Sequence, residues 1–194
     1  MKTCQATKII FPSLSTVVLL IVPLASIRAL GQNRIESKTV GVQEMKTTAT
    51  EKRSLEETEV RKRIDEWANA FRDKDINRVM SVFAPDVVAF DIVPPLAYSG
   101  RDDYRKQWEK LFASYQGPIE YEIRDLRINA DHDLAFSYSI NLIKGTLKNG
   151  QKTEVWLRMT ACWKRIDGQW MLEHEHVSVP VDIEHGKALL DLKP

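Results

Sequence analysis

Cysteine is nearly missing from this chain of 194 residues: Cys4 and Cys162 are the only two. Cys4 precedes the apolar run Val17-Val18-Leu19-Leu20-Ile21-Val22, so it is not placed like a lipid-attachment cysteine, which would follow such a run. A chain this poor in thiols is not stapled by disulfides, and its stability must come from a packed core. An excess of either charge is missing too, with 28 Lys and Arg against 27 Asp and Glu. Near-neutrality gives no electrostatic reason to expect nucleic acid or an anionic membrane as a partner. No glycine-rich phosphate loop, nucleophile elbow or paired Cys-x-x-Cys occurs, so no nucleotide or other cofactor is expected.

Long apolar runs are also scarce. The stretch from Ile9 to Ile27 carries no charge, but Pro12, Ser13, Ser15, Thr16 and Pro23 interrupt it. A membrane-spanning helix needs about 20 mostly apolar residues, which argues against a stable anchor. Lys2 and Lys8 ahead of the run, and the small residues Ala25, Ala29 and Gly31 behind it, read as a removable secretion signal over residues 1–31. Cleavage after Gly31 and an earlier cut near Ala25 both fit. Losing this segment removes Lys2, Lys8 and Arg28 and turns the balance slightly acidic, so an exported chain with the single thiol Cys162 is expected.

Residues 32–53 are polar, without apolar periodicity, and read as a linker: a solvated tether or a frayed helix. The domain is expected over 54–180, followed by a tail over 181–194. Ser54 and Glu57 match a capping box, and Val60, Ile64, Trp67 and Phe71 then fall at helical spacing. Asp75 is placed to cap a short second helix carrying Val79, Met80 and Phe83. Val87 to Asp91 form a short strand before Pro94-Pro95, and a third helix carries Tyr104, Trp108, Leu111, Phe112 and Tyr115. The remainder alternates. A bulge is expected near Arg124-Asp125, where apolar parity switches, and Asn149-Gly150 and Asp167-Gly168 suit hairpin turns. Three helices followed by a meander of four long strands define an α+β fold, with helices on one face of a curved, mainly antiparallel sheet.

Several segments carry a resemblance: Ala70-Phe71-Arg72-Asp73-Lys74-Asp75, then Val82-Phe83-Ala84-Pro85-Asp86, Phe90-Asp91, and the closing Trp170 to Ser178. In that order they resemble the nuclear transport factor 2-like (NTF2-like) superfamily, and within it the SnoaL-like and ketosteroid isomerase-like domains. The resemblance spans roughly Leu55 to Val179. It implies a cone-shaped α+β barrel around an apolar small-molecule pocket, commonly a homodimer joined through the outer face of the sheet. In the steroid isomerases a Tyr on the first helix and a protonated Asp on a late strand bind an oxyanion, while an Asp ending the first strand moves the proton. Asp91 matches the proton-moving position. Trp67 stands at the Tyr position, and Thr160 or Ala161 at the late acid, so that oxyanion pair is missing.

Asp91 is therefore a candidate base, with a simple turn-capping role as the competing reading. Strict alternation puts His174 and His176 on one face with Trp170 and Leu172, and Glu173 and Glu175 on the other. If the first is the concave face, an imidazole of His176 or His174 becomes the acid partner of Asp91. The same His-x-His offers two metal ligands, but no third is marked by spacing, and no metal is expected. The histidines can equally bond backbone near the end of the sheet. Trp67, Phe71, Tyr98, Tyr104, Trp108 and Trp156 are expected either as cavity wall or as plain core. Arg158 is expected to pair with an internal acid such as Asp91, or to meet an anionic ligand group. Two functions follow: acid/base chemistry on a small apolar carbonyl compound, or ligand binding or dimerisation without turnover.

Overall fold

The computed structural model describes residues 35–194, so the expected signal over 1–31 and its cut site lie outside the described residues. Residues Gly41–Pro194 form one compact unit, and the fold below is that of this unit. The first helix, α1 (Ile35–Arg72), does not start at Ser54. Ser54 is already inside it, its carbonyl accepting a hydrogen bond from Thr58 Oγ1 at 2.8 Å. No Gly or Pro occurs from Val42 to Ala84, so nothing stops the helix upstream of Ser54, and its polar composition favours helix by propensity. Residues 50–55 are exposed, as expected of a solvated segment.

Helix α2 (Ile76–Met80) is capped by Asp75, whose side chain accepts from the N–H groups of Asn77 and Arg78. Phe83 falls in the next element, β1 (Phe83–Phe90), because Ser81 ends the helix before it. A two-residue β2 (Tyr98–Ser99) leads into α3 (Arg101–Ser114). Four long strands follow, β3 (Tyr115–Asp131), β4 (Leu134–Leu147), β5 (Lys152–Ile166) and β6 (Gln169–Ser178). The tail forms a small separate hairpin, β7 (Val181–Asp182) with β8 (Lys187–Ala188).

The main sheet has the order β2-β1-β6-β5-β4-β3, antiparallel except where β1 lies parallel to β6. It is mixed, and it remains open rather than closing into the barrel that the resemblance implies. The core lies between its inner face and the helices: Val60, Ile64, Trp67 and Phe71 from α1 and Tyr104 and Trp108 from α3 meet Tyr121, Ala161, Trp163, Trp170 and Leu172. Polar contacts fix α1 in place. Arg72 donates to the Tyr121 carbonyl at 3.0 and 2.8 Å, and Glu59 accepts from the Trp170 indole at 3.0 Å.

Among the described residues the register of the sheet shifts at four places, including Arg124/Arg127 in β3 and Cys162/Trp163 where β5 meets β6. The former sits where expected: β3 slips register between Arg124 and Arg127, with Asp125 at φ 53°. The latter, in β6, was not foreseen. Cys162 pairs with His174, but the next residue, Trp163, pairs with Leu172, which leaves Glu173 as an extra residue. The side chains beyond it therefore change faces relative to strict alternation.

Candidate active site

Helix α3 presents Tyr104, Gln107, Trp108 and Leu111 on one stripe, the three- and four-residue spacing of a helix face. Opposite stand Asn141 and Ile143 of β4, Leu157 and Met159 of β5, and Glu175 and Val177 of β6. Trp67 and Tyr121 close the inner end, and Asp91, Ile92 and Val93, just past β1, form another wall. The space enclosed is about 80 Å³, several times what one water requires. A smaller void of about 20 Å³ shares Trp67, Tyr121, Asn141 and Met159 with it and reaches deeper, to Ser137 and Ser139.

Three oxygen-bearing groups meet in the larger of these two spaces. Tyr104, fully buried, contacts Asp91 Oδ2 at 3.2 Å and makes a short hydrogen bond with Glu175 Oε1. Asp91 Oδ1 accepts from the Ile92 N–H at 2.6 Å. Burial is the chief influence on all three pKa values. It lifts the Glu175 carboxyl to about 8, with the Asp91 charge adding to the rise and the Tyr104 contact opposing it. It also raises Asp91, against the pull of the Ile92 N–H, the Tyr104 hydroxyl and the Val93 N–H. Tyr104 is pushed well above its usual value, first by burial and then by the two acids.

The tyrosine has one proton and two carboxyl neighbours. Tyr104 can give that proton to only one of them at a time, and Glu175, lifted to about 8, is the carboxyl placed to hold a proton of its own. The three groups form a chain with Tyr104 between the two acids.

The structure places the expected residues on two sides of the sheet. Asp91, Trp67, Tyr104 and Trp108 line the cavity. Phe71 is fully buried core, stacked on Trp67 at 5.4 Å, and Tyr98 is buried with its hydroxyl donating to the Pro94 carbonyl at 2.6 Å. His174 and His176 do not enter the cavity. Because Glu173 is extra, both imidazoles point to the outer face, where His174 Nδ1 lies 2.7 Å from the Val88 carbonyl and both rings pack on Phe90. Trp156 and Arg158 are likewise outside, since the residues of β5 that face inward are Leu157, Met159, Ala161 and Trp163. Trp156 is covered by the Arg124 guanidinium at 4.5 Å, and the exposed Arg158 makes no ion pair among the described residues, with Asp91 or any other acid. No group of three metal-ligating side chains occurs among the described residues, and no described helix is long and apolar enough to cross a membrane.

Glu175, Asn141 and Gln107 are the cavity groups that alternation alone does not find. The sequence does hold a signal for Glu175. Trp170 and Leu172 share one parity, whereas Val177 and Val179 share the other, and an apolar face that changes parity within one strand implies a bulge between.

Comparison with known proteins agrees with this architecture. The family model described as SnoaL-like domain matches residues 60–182. An NTF2-like protein of unknown function from Pseudomonas putida is 35% identical, with a TM-score of 0.67, over 73% of this chain and 98% of that one. A ketosteroid isomerase-like protein from Erwinia carotovora is similar in fold, at 22% identity and a TM-score of 0.56, covering 63% of this chain and 95% of its own. An NTF2-like superfamily protein from Salmonella enterica has a TM-score of 0.61 at 15% identity, over 70% and 99% of the two chains. No curated protein matches the chain. Matched over well over half its length and built on the NTF2-like architecture, this chain belongs to the SnoaL-like domain family.

Proposed function

We propose that this domain is a cofactor-independent acid/base enzyme for small, mostly apolar carbonyl compounds, with Asp91 as the base. The observation that carries the reading is the chain Glu175–Tyr104–Asp91 at the wall of a mostly apolar cavity. Burial raises the proton affinity of Asp91 above that of a solvated carboxylate, and the neutral acid behind Tyr104 lets Asp91 stay charged. In the step proposed, the carboxylate takes a proton from the carbon next to a carbonyl. The C–H electron pair moves into an enolate, and the proton returns to a different atom. Such a step needs only a positioned base and a donor for the developing oxygen charge. That a fold relative is called ketosteroid isomerase-like is consistent with this chemistry.

The competing reading is a pocket that holds a ligand without turnover. Deuterium exchange separates the two. A panel of small enolisable ketones is incubated in D2O with the wild-type protein or Asp91→Asn, and incorporation next to the carbonyl is followed by NMR. The wild type is expected to exceed the variant by about 100-fold or more, the contribution of a placed general base. Equal rates would leave binding as the function.

A further inference from the structure

Four buried polar atoms on residues that line this cavity have no hydrogen-bond partner among the described residues: Trp67 Nε1, Trp108 Nε1, Asn141 Oδ1 and Glu175 Oε2. Each of these residues is more than nine-tenths buried. Burying an unpaired donor or acceptor costs about 1–3 kcal/mol, so four on the walls of one cavity are expensive unless a ligand reaches them. They divide evenly into two donors and two acceptors. The indole N–H groups can only donate. Asn141 turns its amide nitrogen to Met159 Sδ at 3.2 Å, leaving its oxygen free, and Glu175 binds Tyr104 through Oε1, leaving Oε2 free. The Trp67 and Trp108 rings lie edge to face with centroids 5.5 Å apart, so the two indoles are neighbours on the cavity wall.

The lining also sets the charge of the occupant. It holds two carboxyl groups and no Lys, Arg or His. An anionic ligand would face Asp91 with nothing to neutralise it, whereas a neutral one meets walls of Ile92, Val93, Leu111, Ile143, Leu157 and Val177.

We propose that the unpartnered indoles of Trp67 and Trp108 anchor the carbonyl oxygen of an uncharged hydroxy-carbonyl compound, whose hydroxyl donates to Asn141 Oδ1 or Glu175 Oε2. The inference rests on the acid/base reading above only for what happens after binding; the recognition stands without turnover. It assigns to two tryptophans the oxygen-binding role for which the chain lacks the tyrosine and aspartate of the steroid isomerases. Trp67→Phe or Trp108→Phe keeps an aromatic ring and deletes the donor.

The test uses 4-hydroxycyclohexanone, cyclohexanone, cyclohexanol and cyclohexanecarboxylate as probes, with the five tryptophan indole N–H signals of the full chain read by nitrogen-15 NMR. Each Trp→Phe variant identifies its own signal by removing it. The two ketones are expected to move the Trp67 and Trp108 signals, with those of Trp156, Trp163 and Trp170 still. The hydroxy-ketone should bind about tenfold more tightly than cyclohexanone, and each Trp→Phe change should weaken it about tenfold. The carboxylate should leave all five signals in place. The inference is overturned if the hydroxy-ketone moves neither cavity signal, or if the carboxylate moves them as strongly, and because these signals are read in the folded wild type, a variant that fails to fold does not rescue it. Indole shifts without Asp91-dependent exchange would sink the proton-transfer reading alone. Exchange without indole shifts would sink this one.

Discussion

On the inner face of β6, Glu175 is fully buried, hydrogen-bonded to Tyr104 and carries a pKa of about 8. One residue to either side, His174 and His176 lie on the outer face against Phe90. The inner face withholds water from its polar groups, so each must find a partner, shift its proton affinity or await a ligand. The outer face leaves His176 and Arg158 exposed to solvent, which can satisfy their polar groups. Strand β5 repeats the contrast. Trp163 points inward, 2% exposed, with its indole donating to Ser137 Oγ at 3.0 Å, whereas Trp156 points outward under Arg124. What a residue can do here depends less on its type than on which face its strand position assigns it.

The most severe way to break this contrast is to remove the paired tryptophans. Trp163→Ala should cost about 4 kcal/mol, because it empties a buried site and strands Ser137, while Trp156→Ala should cost about 1 kcal/mol. Urea unfolding of the two variants checks this, and equal losses would mean that the two faces are not energetically distinct.

Titration of Glu175 comes next. Its native carboxyl keeps a proton to about pH 8, whereas the unfolded one releases it near 4.5. Between those values the native state binds the extra proton, so stability is greatest on the acid side and falls as pH rises, levelling off above about 8. From pH 5 to pH 8 the wild type should lose on the order of 4 kcal/mol that Glu175→Gln does not lose. Denaturant titrations at the two pH values settle the matter, with parallel slopes counting against a buried neutral acid.

The smallest effect is expected outside. His176→Ala should stay within about 0.5 kcal/mol of wild type, and His174→Ala within about 1 kcal/mol for its contact with the Val88 carbonyl. Neither should alter deuterium exchange of the ketone panel. A rate loss comparable to that of Asp91→Asn would return an imidazole to the mechanism and overturn the assignment of faces.

The elements of the fold were legible because local rules decide them. Asp75 caps α2 as its side chain requires, Tyr104 and Trp108 share a helix face by spacing, and the switch of apolar parity near Arg124 marks the bulge there. Asp91 was found as a lone acid ending a strand, and it lines the cavity. Strict alternation groups the histidines with Trp170 and Leu172, and the extra residue Glu173 breaks that grouping. The start of α1 was misplaced because a capping pattern at Ser54 competes with uninterrupted helix propensity on both sides of it.

By itself the sequence determined the order of helices and strands, the parity of each strand up to its irregularities, the absence of a disulfide framework and the candidate base Asp91. These follow from spacing and composition, which act over a few residues at a time. Only the tertiary structure decided that Glu175 and not His176 stands behind Asp91, that Tyr104 from a distant helix joins them, and that Trp67 and Trp108, on the wall of the same cavity, keep their N–H groups unpaired. The physical reason is that Glu173 became the extra residue through the pairing of β6 with β5: the parity switch between Leu172 and Val177 implies a bulge, but only that register fixes which residue it is. One such residue turned the following carboxyl inward, and burial then made it a neutral acid.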